Sequence, residues 1–172
     1  WENLFQKKQD AEDRAFVDKY QLELTKRITA AETEALNSPD VKRPDFVNNF
    51  DKRLEDIQKE TYDQLTGEAG QFTPSQRGRE AAMHSAMTLR RSAAQRTVVA
   101  AHNQRVSSLA NSVSENALEI ARAAGATGDL LGGLERTEAS IKALSGIVAP
   151  DKYEAFLKAS KEQVFESVVR GH

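Results

Sequence analysis

At 172 residues the chain has room for one ordinary domain, and with 39% apolar but only 6% aromatic residues it suits helices packed side by side better than a thick globular core. A net charge of -2, with 29% of residues charged, excludes both a uniformly basic nucleic-acid binder and a strongly acidic disordered tail. Cysteine is absent, which excludes disulfides and thiolate metal sites, and no run of about 18 apolar residues offers a membrane span.

From Leu4 to Leu36 the apolar residues recur at three and four, through Phe16, Tyr20, Leu24, Ile28, Ala31 and Ala35. That spacing predicts one helix with a single buried stripe and a charged outer face. Asn37-Ser38-Pro39 should stop it, because proline disfavours the α conformation of the residue before it. Pro44-Asp45 opens a second helix whose buried side is marked by Phe46, Phe50, Leu54, Ile57 and Leu65, and Gly67 and Gly70 end it.

Thr73-Pro74-Ser75-Gln76 then reads as a capping box, with Thr73 at the N-cap, proline at the first helical position and Gln three residues after the cap. From there to Ala124 there is no further proline, and Gly78 is the only glycine, which predicts a helix of about 50 residues, roughly 75 Å at 1.5 Å per residue. Gly125-Ala126-Thr127-Gly128 breaks the pattern. Leu130, Leu134, Ile141 and Leu144 mark a fourth helix, weakened by Gly132-Gly133 at about 1 kcal/mol per glycine. After Pro150, a fifth helix through Tyr153, Phe156, Leu157, Ser160, Val164 and Val168 completes an αα-hairpin. The expected fold is therefore all-α: an elongated helical bundle with one helix of about 50 residues and a C-terminal helical hairpin. It forms a single helical region divided into a hairpin (1–70), the long helix (73–125) and a second hairpin (128–171). The chain opens on Trp1 rather than Met and its helical pattern runs to the end, so it reads as a piece of a longer protein.

Charge is uneven. Acidic residues outnumber basic ones 16 to 11 in residues 1–73, whereas in 74–125 the ratio is 3 to 7, which favours docking of the two segments on each other. Arg77, Arg79, Arg90, Arg91, Arg96 and Arg105 fall nearly all the way round the long helix at 100° per residue, so they suit ion pairs with the first two helices rather than a phosphate-binding stripe. Glu32, Glu34, Asp51, Glu55 and Asp56 are interleaved with Lys and Arg and read as solvated faces.

Within the long helix, Val99, Val106, Val113 and Ile120 recur every seven residues. Taken as position a of a heptad, they place His102, Leu109, Asn116 and Ala123 at d, with His102 and Asn116 as polar register marks. Val99, His102, Val106, Leu109, Val113, Asn116 and Ile120 thus form a candidate packing or oligomer seam, and two readings stay open: ordinary bundle core, or a self-association surface. His84 and His102 are about 27 Å apart along one helix and cannot share a metal. GATGDLLGG lacks the Gly-Lys-Ser/Thr ending and the strand context of a phosphate loop, and suits a turn between helices. No nucleophile or paired acid and base is assembled, so no catalytic, cofactor or metal residue is assigned and the chain is expected not to be an enzyme.

From the long charged helices and the alanine-rich third helix to GATGDLLGGLERTEASIKALSGIVAPDKYEAFLKASKEQVFESVVRGH, the chain resembles the helical internal virion, or ejection, proteins of tailed bacteriophages and related prophages. The resemblance implies a protein stored in the capsid and released with the genome. It would assemble as a homo-oligomer, with other virion proteins, into a channel or scaffold across the host envelope, in contact with genome or envelope and with no cofactor or small-molecule substrate. Some members carry a peptidoglycan-cleaving domain, which nothing here matches. The rival reading is a bacterial coiled-coil adaptor or sensor module in which the same seam self-associates. A lipid-sensing surface helix is disfavoured because arginine is spread around the long helix.

Overall fold

The computed structural model describes residues 2–171; Trp1 and His172 lie outside the described residues. The fold is all-α. Helix α1 spans Glu2–Leu36, α2 Phe46–Thr66, α3 Gln76–Thr127, α4 Leu130–Ile141 and α5 Pro150–Gly171, with short 3-10 turns at Pro39–Lys42 and Lys142–Leu144. No strand occurs among the described residues. The expected 50-residue helix is present as α3, with 52 residues, and α4 and α5 form the C-terminal hairpin. The chain divides into two compact units, Trp1–His102 and Asn103–His172.

In the first unit, Phe16, Tyr20, Leu24 and Leu54 are fully buried. Each contributes about 1.5–3 kcal/mol through removal of apolar surface from water. Phe16 and Tyr20 stack with ring centroids 5.8 Å apart, and Tyr62 meets both edge-on at 6.0 and 6.2 Å. Burial pushes the Tyr20 hydroxyl up to about 12, so the phenol stays protonated and donates to the Gln58 carbonyl at 3.4 Å. Helix α1 ends where proline directs it to: the Ser38 hydroxyl accepts from the Asp40 N–H at 3.2 Å and starts the 3-10 turn, with Pro39 next to the cap.

Helix α3 faces this core with alanine. Ala82, Ala86, Ala93 and Ala101 are buried in the first unit, and Ala117, Ala121 and Ala124 in the second. Side chains that small let neighbouring backbones approach at the near end of the usual interhelical range. The start of α3 differs from the capping box expected at Thr73. The first intrahelical bond runs from the Arg79 N–H to the Ser75 carbonyl at 3.0 Å, and the Ser75 hydroxyl accepts from the Gly78 N–H at 3.3 Å, so Ser75 is the N-cap. The shift has a tertiary cause, because the Asp13 carboxylate on α1 accepts the Ser75 N–H at 2.8 Å and also its hydroxyl.

The second unit contains the C-terminal part of α3 with α4 and α5. Val113, Ile141 and Leu144 form one buried cluster, and Ala121, Ala124 and Val164 another. Helix α3 ends later than the Gly125 break expected from sequence. Gly128 adopts φ 75° and donates to the Ala124 carbonyl at 2.8 Å, after which Asp129 caps α4 by accepting from Gly132 N–H at 3.0 Å. Gly125 remains helical because α5 crosses there, and a Cβ on it would sit 2.9 Å from the Ser167 carbonyl oxygen.

Candidate functional site

The seven seam residues on α3 meet different surroundings. Val99 is 55% exposed and His102 is exposed, whereas Val106 is half-buried. Leu109 packs against the Val113–Ile141–Leu144 cluster, Val113 lies within it, and Ile120 packs against the Ala121–Ala124–Val164 cluster. Asn116 is exposed and donates to the Ser140 hydroxyl at 2.7 Å, which ties α3 to α4. The structure therefore brings Leu109, Val113, Asn116 and Ile120 into the second unit's packing and leaves Val99 and His102 facing outward.

A line of sevens drifts by only about 20° per heptad on a 3.6-residue helix, so the difference comes from the packing: in the first unit the buried side of α3 is that of Ala82, Ala86, Ala93 and Ala101, which Val99 does not share, whereas in the second Ile141, Leu144 and α5 pack on the side of Val113. The buried residues of α3 are Gly78, Ala82, Ala86, Ala93, Thr97 and Ala101 in the first unit and Val113, Ala117, Ala121 and Ala124 in the second. Those alanines were not assigned as seam residues, although the alanine-rich composition of the helix is visible in the sequence. Val98, next to Val99, is 42% exposed.

Arginines on α3 meet acidic and polar groups on α1 and α2. Arg96 forms a bidentate pair with Glu32 at 3.0 and 3.1 Å, and those bonds raise its affinity for the proton further. Arg90 donates to the Gln58 side-chain oxygen at 2.9 Å and lies 3.6 Å from an Asp51 oxygen. Glu32 is thus a packed partner, with its side chain 14% exposed, and not a solvated residue as its charge pattern suggested.

Asp13 is 8% exposed and has no signature in the sequence that announces its role, because Ser75, which donates to it twice, lies 62 positions away. Burial opposes its charge. The bonds from the Ser75 hydroxyl, the Ser75 N–H and Gln9, with the Arg77 guanidinium nearby, outweigh that cost and hold the carboxyl below the usual carboxylate range.

A cleft of about 270 Å³ lies at the corner where α1, the 3-10 turn and α2 meet. Phe46 and Phe50 floor it, and Glu34, Asp45, Arg43 and Arg53 line it. Arg43 is 3.4 Å from Asp40, so part of this charge is internally paired. His84 and His102 are both exposed on α3. Among the described residues, no group of three or more His, Asp or Glu side chains could hold a metal ion, and no helix is long and apolar enough to cross a membrane. No family model, curated protein or solved structure matches the chain.

Proposed function

We propose that this chain is a helical assembly module that works by associating with copies of itself and with neighbouring proteins. The observation that carries the reading is the division of labour on α3. Most of its buried residues are alanine, and in the first unit the branched side chains of Val98 and Val99 face solvent at 42% and 55% exposure. A packed helix that keeps its small residues inside and displays adjacent branched ones outside has apolar surface left to bury against a partner.

The narrower form of the proposal is a structural virion protein of the internal, or ejection, type, assembling into a channel or scaffold for genome delivery across a host envelope. It is supported by the likeness of the sequence to that class. The second form, an adaptor or sensor dimerising through α3, is supported by the seven-residue recurrence.

Size-exclusion chromatography with light scattering tests the proposal. The expected result is a mass above the 19.0 kDa of one chain that rises with concentration, and a return towards 19.0 kDa in Val98→Asp/Val99→Asp. A 19.0 kDa species at every concentration up to the millimolar range would overturn it. A dimer that does not grow favours the adaptor form, and rings or larger species favour the virion form. Val113 is unsuited to this test, since at 6% exposure its substitution by Asp would disrupt the second unit itself.

A further inference from the structure

Gln58 on α2 takes part in three bonds with two other helices. Its backbone carbonyl accepts from the Tyr20 hydroxyl, its side-chain oxygen accepts from Arg90 Nη1 at 2.9 Å, and its amide Nε2 donates to Met83 Sδ at 3.4 Å. Arginine has no acceptor, so the Gln58 oxygen must turn towards Arg90 and the NH2 group towards the sulfur. Asp51, with an oxygen 3.6 Å from Arg90, also holds that guanidinium. The orientation of the amide is thus imposed by charge, and it leaves an N–H facing a thioether, which is a weak acceptor.

Met87 stands four residues further along α3, where it is a neighbour of Met83 on one side of the helix. The two are the chain's only methionines, and they are 36% (Met83) and 57% (Met87) exposed. Met87 lines a cleft of about 220 Å³ with Asp51, Arg90, Arg91 and Ala94. Each methionine therefore has N–H donors beside it, Gln58 for Met83 and the guanidiniums of Arg90 and Arg91 for Met87. A thioether makes little use of them. A sulfoxide, polar and with an oxygen that accepts hydrogen bonds, matches them better.

We propose that Met83 and Met87 form a reversible oxidation site for a peroxide, in which these donors hold the sulfoxides and α2 stays packed on α3. In each step a sulfur lone pair attacks one oxygen of the peroxide, and the O–O bond breaks as the S–O bond forms. The other oxygen leaves and takes a proton, departing as water when the oxidant is hydrogen peroxide. The sulfur is oxidised by two electrons and the peroxide is reduced by two. At Met83 one lone pair is engaged by Gln58, which slows attack by that sulfur, and rotation of the flexible side chain then brings the new oxygen to the same N–H. Methionine sulfoxide reductases reverse the change. Oxidation turns two apolar stretches of accessible surface polar without altering a core side chain, and it does so whether or not the chain self-associates.

Hydrogen peroxide is the probe, applied to the full chain and followed by peptide mass spectrometry, circular dichroism and thermal melting. Met87 should oxidise about threefold faster than Met83, given one hydrogen bond held by the Met83 sulfur. Gln58→Glu keeps an acceptor for Arg90 and removes only the donor to Met83. It should raise the Met83 rate about threefold and leave that of Met87 unchanged. Wild type carrying both sulfoxides should keep its helicity and melting temperature, whereas oxidation should lower the melting temperature of Gln58→Glu, where a carboxylate faces the sulfoxide oxygen. Because that loss is assigned to Met83, Gln58→Glu/Met83→Leu should melt at one temperature before and after treatment. Equal rates at the two methionines of wild type, or a Met83 rate indifferent to Gln58→Glu, would show that the amide does not hold the sulfur. Lost helicity in oxidised wild type, or the same change in melting temperature in wild type and Gln58→Glu, would show that the sulfoxide is not held. Either result overturns the proposal.

Discussion

Asp13 concentrates several physical effects in one side chain. It is a buried carboxylate that accepts from both the N–H and the hydroxyl of Ser75, the N-cap of α3, and Gly78 lies so close that a Cβ there would come 2.7 Å from its carboxyl carbon. Asp13→Asn should lower stability by about 1.5–3 kcal/mol at neutral pH, the usual range for hydrogen bonds to a charged group, as measured by urea unfolding. Because the folded carboxyl titrates below its ordinary value of 3.8, its stabilising contribution is present above that value and is lost as pH falls through the folded one. The gap between wild type and Asp13→Asn should therefore be constant from pH 5 to 8 and shrink below about pH 4. A gap that widened in acid would contradict the assignment. Thr97 and Thr137 are the converse case, each buried with an Oγ1 that has no hydrogen-bond partner among the described residues, whereas buried Thr61 donates to the Ile57 carbonyl and accepts from Arg27.

At the scale of elements, small residues decide how closely helices meet. Gly132 and Gly133 read from sequence as a weak point in α4, since glycine lowers helix propensity. In the structure Gly133 is buried, and a Cβ on it would lie 2.8 Å from both the Ala124 Cβ and Val164 Cγ1. Gly133→Ala would gain up to about 1 kcal/mol of helix propensity but force apart α3, α4 and α5, which costs about 1–3 kcal/mol. The expected net result is a lower melting temperature by differential scanning calorimetry, and an increase would show that the three helices can separate at no cost. The ends of the elements were legible where they depend on local chemistry, as at Ser38-Pro39. They were misplaced by two or three residues at Thr73 and Gly125, where Asp13 and α5 contribute from a distance.

At the scale of the whole molecule, the division into two compact units predicts how substitutions propagate. Leu54 is fully buried in the first unit, and Leu54→Ala should cost about 2–5 kcal/mol there. Hydrogen exchange followed by mass spectrometry should show faster exchange concentrated in residues 1–102, with 103–172 less affected. Equal acceleration across both units would mean that they unfold as one. The all-α class and the stripes of α1 and α2 were legible because a helical period alone selects their buried faces: Phe16, Tyr20, Leu24, Ile28 and Leu54 were marked correctly. The seam from Val99 to Ile120 was less legible, because a seven-residue repeat names a line on a helix but not the neighbours along it.

By itself the sequence determined the helical class, the proline-directed ends of α1 and α2, the length of α3 to within a turn, and the C-terminal hairpin. These follow from backbone sterics and apolar periodicity, which act over a few residues. The tertiary structure decided that α3 packs mostly through alanine, that Asp13 holds its N-cap residue Ser75, and that Val113 is core while Val99 is surface. Each of those depends on residues brought together from distant positions, where the distance between backbones, and not the identity of a side chain, sets what is buried.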